Sequence, residues 1–250
     1  MQVDAQTNAL LSRIHRRHAT VTEELRIGDL TISFTRIADP NRVLDEVAEA
    51  EDLRDKLEGK RRENPLHLPY WAELWDSALG VTQFLIHSAL STQHSGLSLL
   101  DLGCGMGLCG AVAAAIGWNV LFADLEPEAL LFARLNSLPN AARVRTRQLN
   151  WQTDRLDERF DLIIGADILY ERKQWEYLEP FWTHHLNANG SVLLGEPGRQ
   201  TGTIFIDWID RRKWRLEQFA QNVSTRQSPI RIFKLSLHDP SPQTKAGGHG

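Results

Sequence analysis

The segment Leu99-Leu-Asp-Leu-Gly-Cys-Gly-Met-Gly-Leu-Cys-Gly110 constrains the fold of this chain more than any other feature. It joins an apolar run at 97–102, typical of a buried strand, to an Ala-rich run at 108–116, typical of a helix that stops at Gly117. Alternating glycines between a strand and a helix let the backbone approach a ligand closely at the helix N-terminus. The segment therefore predicts a ligand-binding turn, which we call the glycine loop (residues 103–107).

The chain that follows the glycine loop alternates between strand-like and helix-like patterns. Strands are predicted at 119–124, 144–149, 161–166, 191–195, 214–219 and 230–237. Helices are predicted at 127–138, 172–186 and 204–212. This alternation is typical of a parallel sheet with helices on both faces, in which ligands bind at the carboxyl ends of the strands.

The residues ahead of the glycine loop predict a small N-terminal extension. Polar residues at 1–24 predict an arm that is either helical or frayed. Alternating apolar and polar residues at 25–37 then predict a hairpin about Gly28-Asp29. A charged stretch at 45–63 predicts an exposed helix and loop.

Helical spacing of apolar residues over 71–90 predicts one more helix before the glycine loop. It would place Trp71 and Trp75 on one face, with one of them in the core and Trp75 against a ligand. Glu73 would face elsewhere and reach cofactor or substrate. We divide the chain into an N-terminal extension at 1–64, a main domain at 65–238 and a disordered tail at 239–250.

Composition excludes several classes of protein. The chain has 250 residues and a net charge of −4, so a broad nucleic-acid surface is not expected. No apolar run is long enough to span a membrane, and the residues after Met1 do not resemble a signal peptide. The two cysteines, Cys104 and Cys109, share one loop, which excludes a disulfide scaffold and favours a cytoplasmic protein.

The charge of Asp101 bears on which ligand the glycine loop binds. Gly105-Met-Gly-Leu-Cys-Gly110 also fits the dinucleotide fingerprint, so a nicotinamide or flavin enzyme is an alternative. A carboxylate two residues before the first glycine would repel a pyrophosphate but would suit the amino group of S-adenosylmethionine, which has no phosphate. We therefore favour S-adenosylmethionine over a dinucleotide, and either over a turn without a ligand.

Asp124 closes the second predicted strand, where its carboxylate could accept hydrogen bonds from both hydroxyls of a ribose. The alternative is a cap for the helix that begins at Pro127. Cys104 and Cys109 are interpreted as small residues that fill the loop. His184-His185 is interpreted as a surface or cap feature, because no partner ligands stand at metal spacing. No metal site is predicted.

With the glycine loop and Asp124, the chain resembles the class I, seven-strand methyltransferases. Within them it is most similar to the protein lysine methyltransferases that include the enzymes modifying the electron-transfer flavoprotein β-subunit. Three more segments carry the resemblance: Leu68-Pro-Tyr-Trp-Ala-Glu-Leu-Trp-Asp-Ser-Ala-Leu-Gly80, Leu149-Asn-Trp151 and Phe160-Asp-Leu-Ile-Ile-Gly-Ala-Asp-Ile-Leu-Tyr170. Asn150 departs from the aspartate that is usual in the second of them.

The resemblance implies a Rossmann-like α/β fold with a mostly parallel seven-strand sheet and an antiparallel last strand. It also implies that Trp151 lies against adenine, and that Asp167 and Tyr170 are catalytic residues at the end of the fourth strand. The residues expected to bind the cofactor are Trp75, Asp101, Gly103, Cys104, Gly105, Gly107, Asp124, Leu125, Asn150, Trp151 and Ala166.

Read from the residues alone, Asp167 could cap a helix and Tyr170 could pack at the edge of the core. Their segment lacks the Asn/Asp-Pro-Pro-Tyr/Phe pattern with which methylases of adenine and of glutamine amides hold a planar amino group. Base methylation is therefore disfavoured.

The expected activity is direct in-line N-methylation of a lysine in a protein partner, with Asp167 and Tyr170 orienting the amine. A methyltransferase acting on the nitrogen or oxygen of a small molecule is the main alternative. A cofactor-binding protein without catalysis and a nicotinamide-dependent oxidoreductase are less favoured. We expect no membrane partner, and we assign substrate selection to the N-terminal hairpin and the final β-hairpin on position alone.

Overall fold

The computed structural model describes residues 2–58, 68–88 and 96–238. Its strands are β1 (Thr20–Ile27), β2 (Leu30–Ile37), β3 (Ser98–Leu102), β4 (Asn119–Asp124), β5 (Val144–Gln148), β6 (Phe160–Ala166), β7 (Leu186–Glu196), β8 (Trp214–Gln221) and β9 (Ile230–Leu237). Its α-helices are α1 (Gln2–Ile14), α2 (Pro40–Glu58), α3 (Asp76–His87), α4 (Leu108–Ala115), α5 (Pro127–Asn136), α6 (Trp175–His185) and α7 (Gln200–Asp210). No helix within these ranges has the length and apolar character needed to cross a bilayer.

Strands β3 to β9 form one seven-stranded sheet in the order β5-β4-β3-β6-β7-β9-β8. Strands β3 to β7 are parallel to one another, whereas β9 runs antiparallel to both β7 and β8. The predicted fold class is therefore confirmed, including the antiparallel last strand. The chain leaves β3 toward β4 on one side and later returns to β6 on the other. A crevice is expected where the direction of winding changes in this way.

Helices cover both faces of the sheet because successive strand residues point to opposite sides. Leu100 packs on the face that carries Trp175 of α6 and Phe205 of α7. Leu99 packs on the opposite face, where α3 and α4 lie. This alternation places Asp101 on the face of α4, at the end of a strand whose other central residues are buried and apolar.

The predicted hairpin is confirmed, with Gly28 in the left-handed region at φ 57°. Strand β1 begins at Thr20, so the last part of the predicted arm belongs to the hairpin. The buried side chain of Asn136 attaches the hairpin to the main domain. It accepts the N–H of Thr35 at 2.8 Å and donates to the carbonyls of Thr35 at 3.0 Å and Met106 at 2.9 Å.

The predicted charged helix begins earlier than expected, as α2, and residues 59–63 of the charged stretch lie outside the described residues. The predicted boundary at 64/65 and the tail at 239–250 also lie outside them.

The helix predicted over 71–90 begins only at Asp76, and Leu90 lies outside the described residues. Trp71 belongs to a 3-10 turn at Tyr70–Ala72, whereas Glu73 and Trp75 are extended, with ψ near 140°. The prediction of one helix face shared by Trp71 and Trp75 was therefore wrong. The indole N–H of Trp75 donates instead to the carbonyl of Tyr70 at 2.9 Å, which stabilises the non-helical segment.

The interpretation of His185 as a surface or cap residue was also wrong, because its side chain is fully buried. Its Nε2 accepts the backbone N–H of Leu156 at 2.9 Å, so the proton is on Nδ1, 2.8 Å from the carbonyl of Phe181. Burial lowers the pKa of His185 and favours this neutral form. His184 beside it is exposed.

Candidate active site

A cavity of about 400 Å³ opens at the carboxyl ends of β3, β4 and β6. Every residue that the sequence analysis assigned to the cofactor or to catalysis lines it. They are Trp75, Asp101, Gly103, Cys104, Gly105, Gly107, Asp124, Leu125, Asn150, Trp151, Ala166, Asp167 and Tyr170. The structure adds further lining residues that were not predicted, among them Tyr70, Gln174 and Arg199.

The glycine loop turns sharply because Gly103, Gly105 and Gly107 all have positive φ angles, of 65°, 50° and 83°. At Gly107 the surroundings also exclude a side chain. A Cβ atom there would lie 2.6 Å from the backbone Cα of Ala133 in α5 and 3.1 Å from the ring of Phe122. This close packing holds the start of α4 against α5 and fixes the floor of the cavity.

We expect Gly107→Ala to lower the free energy of unfolding by about 3 kcal/mol or more, because left-handed strain adds to a clash with backbone. Thermal or urea unfolding measures the loss. Gly96→Ala is the matched control, since Gly96 also has a positive φ of 93° but nothing within 4 Å of the added Cβ. Equal losses in the two variants would show that the contact with α5 contributes nothing.

Asp101 presents a buried carboxylate to the cavity, with 2% of the residue exposed. Its Oδ2 accepts the backbone N–H of Gly110 in α4 at 2.8 Å. Burial, with a smaller contribution from the charge of Asp124, raises the pKa of Asp101 to about 7 against the opposing effect of the Gly110 hydrogen bond. A buried carboxylate whose pKa is raised by desolvation is stabilised in its charged form by a cationic ligand.

The Asp124 carboxylate also lines the cavity and is 8% exposed. It accepts the N–H of Gly105 at 2.8 Å and the N–H of Glu126 at 3.0 Å. Glu126, not Asp124, is the N-cap residue of α5, so Asp124 forms an Asx turn ahead of the helix instead of capping it. Each carboxylate oxygen has a second lone pair that can accept a hydroxyl proton from a ligand.

Leu125, Asn150 and Trp151 form one wall of the cavity. The side chain of Asn150 shapes its own turn, because its Oδ1 accepts the N–H of Gln152 at 3.0 Å. The Trp151 indole N–H donates to Oε1 of Gln174 at 2.9 Å, which fixes the plane of the ring. This wall therefore offers an apolar, oriented surface to a flat ligand group.

The thiols of the two cysteines in the glycine-rich segment are held in their protonated form, which is not the nucleophilic form. Both thiols are free, and burial raises the pKa of Cys104 and of Cys109 well above the usual range. In the part of the chain that the structure describes, no three His, Cys, Asp or Glu side chains are grouped so that they could hold a metal ion.

Asp167 lies at the end of β6 and is 8% exposed. Among residues 2–58, 68–88 and 96–238 it is the only non-glycine residue with positive φ, at 61°. Its carboxylate accepts hydrogen bonds from both terminal nitrogens of Arg199, with Nη2 at 3.2 Å from Oδ2. Ser77 Oγ of α3 lies 3.4 Å from Oδ2. Burial raises the pKa of Asp167, and Arg199 opposes that effect.

Three aromatic rings line the cavity beside Asp167. The rings of Tyr70 and Tyr170 meet edge to face with centroids 5.6 Å apart, and those of Tyr70 and Trp75 are 6.2 Å apart. Tyr170 is 40% exposed, so part of the residue is open to solvent. Trp71 lines the cavity as well, and its ring packs in the core against His18 and Phe132.

Glu73 also lines the cavity, although it is not on a helix as predicted. Burial raises the pKa of its carboxyl group.

Comparison with known proteins agrees with this geometry. The chain is 37% identical over 131 residues to the protein N-lysine methyltransferase METTL21A of Xenopus tropicalis, covering 49% of this chain and 58% of that protein. It is 29% identical over 141 residues to the electron transfer flavoprotein beta subunit lysine methyltransferase of Danio rerio, covering 54% and 52%. The matched region thus spans about half the length of these curated relatives.

Among solved structures, a TehB-like SAM-dependent methyltransferase from Corynebacterium glutamicum ATCC 13032 Kitasato shares the fold. Its TM-score is 0.51 at 19% identity, over 80% of this chain and 100% of that one. The family described as lysine methyltransferase matches residues 70–212, which include the glycine loop and the end of β6. The chain therefore belongs to the lysine methyltransferase family.

Proposed function

We propose that this protein transfers a methyl group from S-adenosylmethionine to the side-chain nitrogen of a lysine in another protein. The observation that carries the proposal is one cavity lined both by the buried carboxylate of Asp101 and by the pair Asp167 and Tyr170. The first fits the charge of the cofactor, and the second fits an amine acceptor. The names of the curated relatives, which are protein lysine methyltransferases, support the same substrate class.

The residues around the cavity fit S-adenosylmethionine. Asp101 would bind the amino group, Asp124 the ribose hydroxyls, and the wall formed by Leu125, Asn150 and Trp151 the adenine. The remaining contacts would come from Trp75, Gly103, Cys104, Gly105, Gly107 and Ala166. When bound, S-adenosylmethionine supplies a methyl group carried on a positively charged sulfur.

On the acceptor side, the chain has to hold a lysine amine in its neutral form. A free lysine has a pKa of about 10.4, so only a small fraction is neutral near pH 7. The rings of Tyr70, Trp75 and Tyr170 would exclude water from part of the acceptor, and this loss of hydration disfavours the ammonium ion. Asp167, already hydrogen-bonded to Arg199, would orient the amine and would not act as a strong base.

We also propose that the main domain covers residues 65–238. The free thiols Cys104 and Cys109 favour a reducing compartment, and we propose the cytoplasm.

The test is methyl transfer from radiolabelled S-adenosylmethionine into a lysate of the cells from which the protein comes. The reaction is divided into protease-treated, nuclease-treated and small-molecule fractions, with heat-inactivated protein as the control. We expect a discrete labelled protein that yields methyl-lysine on hydrolysis. Label confined to small molecules would contradict the lysine acceptor and support a small-molecule methyltransferase. Absence of label in every fraction, together with absence of S-adenosylhomocysteine binding, would contradict both.

A further inference from the structure

A buried ionic cluster lies behind the cavity at the end of β7. Its centre is the Glu196 carboxylate, which is 2% exposed. Glu196 accepts the backbone N–H groups of Gly198 at 2.8 Å and Arg199 at 2.5 Å, together with Nε of Arg231 at 2.6 Å. Arg231 in turn donates from Nη2 to the carbonyl of Arg199 at 2.7 Å. The backbone on both sides of the Arg199 Cα atom is thus fixed by side chains from β7 and β9.

The hydrogen bonds from Glu196 and Arg231 fix the backbone of Arg199, whose side chain lines the cavity. Arg199 is the N-cap residue of α7 and is extended, with ψ 156°. Its guanidinium bonds both oxygens of Asp167 and lies 5.8 Å from the centroid of the Trp75 ring. It therefore joins the end of β6 to the aromatic wall. A side chain that only stabilised the fold would not need to line the cavity, as Arg199 does.

The hydrogen bonds of Asp167 leave room for one more donor. A carboxylate has about four lone-pair sites. Two accept from Arg199 and one is directed to Ser77. The remaining site can accept one N–H of an amine. Because the bidentate guanidinium fixes the plane of the carboxylate, that last site has one direction in the cavity.

The charge of Arg199 matters as much as its geometry. An unpaired carboxylate next to a lysine would raise the pKa of the amine and stabilise the ammonium form, which has no lone pair for methyl transfer. Charged and titratable groups that face Asp167 are Arg199, Glu196 and Tyr170, with Ser77 as a neutral donor. Of these, only Arg199 is a cation, and it cancels the charge of Asp167.

We propose that Arg199 is a positioning residue for the acceptor amine, which it serves by fixing the orientation of the Asp167 carboxylate and neutralising its charge. The inference rests on the proposed lysine methylation and deepens it. It explains how a site that contains a carboxylate could still bind the lysine as a neutral amine.

The test compares Arg199→Met with the wild-type protein in the lysate labelling reaction, at saturating S-adenosylmethionine and at several pH values from about 7 to 10. We expect Arg199→Met to transfer methyl groups at least about tenfold more slowly than wild type near pH 7.5. Without the guanidinium, the charge of Asp167 stabilises the ammonium form of the substrate lysine, which cannot accept a methyl group. The deficit should shrink as the pH rises and the amine loses its proton. Affinity for S-adenosylhomocysteine, measured by calorimetry, should stay within about threefold of wild type.

Two further variants sharpen the comparison. Arg226→Met is the matched control, because Arg226 donates to the carbonyl of Pro197 in the same loop at 2.6 Å but is not a partner of Asp167. It should keep the wild-type pH profile. Arg199→Lys keeps the charge but loses the bidentate geometry, so it should keep the wild-type pH dependence at a reduced rate. If Arg199→Met does not fold, the pH profile of Arg199→Lys tests the inference in its place.

A rate deficit in Arg199→Met that is the same at every pH, or that accompanies loss of S-adenosylhomocysteine binding, would overturn the inference in favour of a structural role. An upward shift of the pH profile in Arg199→Lys would overturn it as well. Failure of the wild-type protein to label any protein would contradict the proposed function itself, and this inference with it. The two failures are thus distinguishable.

Discussion

Replacing Asp101 by asparagine should abolish useful cofactor binding and at the same time make the free protein more stable. The variant keeps an oxygen that can accept the N–H of Gly110, so the hydrogen bond to α4 survives. It loses the negative charge that we assign to the amino group of S-adenosylmethionine. We expect affinity for S-adenosylhomocysteine, which has the same amino group, to fall by about 100-fold or more, measured by calorimetry.

The gain in stability follows from the pKa of Asp101. Burial raises it to about 7, whereas an unfolded aspartate titrates near 3.9. A carboxyl whose pKa is raised on folding is tolerated while protonated and costs free energy once it must ionise. The wild-type free protein should therefore lose stability as the pH rises from about 4 through 7. Asp101→Asn should lack that loss, and at pH 8 its free energy of unfolding should be higher by on the order of 2 to 4 kcal/mol.

The same titration predicts a pH dependence of binding in the wild-type protein. Only the ionised carboxylate of Asp101 attracts the amino group of the ligand, so affinity for S-adenosylhomocysteine should weaken as the pH falls below about 7. Asp157→Asn, which changes an exposed aspartate, is the matched control and should alter neither property. An Asp101→Asn protein that binds normally, or that is less stable at pH 8, would contradict the assignment.

The part of the cavity that we propose for the cofactor can be predicted from the sequence because it is built from local structure. Asp101, the glycine loop and α4 are contiguous in sequence, and their conformation depends on residue types that tolerate a left-handed backbone. Asp124 could be predicted in the same way, because it ends the next apolar strand. Patterns of this kind, an apolar strand followed by closely spaced glycines, can be recognised without knowing what packs against them.

The part of the cavity that we propose for the acceptor lysine could be predicted only incompletely. Asp167 and Tyr170 came from a family resemblance, but the partner of Asp167 lies 32 residues later in sequence, at the start of α7. Nothing near Arg199 in the sequence marks it as part of a site. Its position depends on Glu196 and Arg231, which meet only when β9 pairs with β7.

The two incorrect predictions, a helix that begins at Trp71 and a surface position for His185, have the same cause. Helical spacing from Trp71 onward was real, but the hydrogen bond from the Trp75 indole to the Tyr70 carbonyl favours a 3-10 turn and an extended stretch there. A histidine near the end of a helix suggests an exposed position, yet His185 is buried and accepts the N–H of Leu156. In both cases a side chain satisfies a backbone group outside the regular pattern, and spacing does not report that.

Replacing Asp167 by asparagine should stop methyl transfer while leaving cofactor affinity nearly unchanged. Asparagine is the informative substitution because Asp167 has a φ of 61°, a conformation that Asn tolerates well and that would strain Ala. It preserves the shape of the side chain but removes the charge paired with Arg199. Its NH₂ group would also stand where a carboxylate oxygen accepts hydrogen bonds.

The expected fall in the rate of methyl transfer is about 100-fold or more, since orientation of the amine depends on an acceptor at that position. Affinity for S-adenosylhomocysteine should stay within about threefold, because we assign cofactor binding to Asp101 and Asp124 and not to Asp167. Asp207→Asn, an exposed change on α7, is the matched control and should behave as wild type.

Asp167→Asn separates an acceptor residue from a structural one. If Asp167 served only to anchor Arg199, the loss of transfer would be matched by a loss of thermal stability and by weaker cofactor binding, because α7 begins at that anchor. If Asp167 acts on the amine, transfer falls while the unfolding temperature and S-adenosylhomocysteine affinity remain close to wild type. Transfer at the wild-type rate would remove Asp167 from the chemistry and leave Tyr170, 40% exposed at the same end of the cavity, to orient the acceptor.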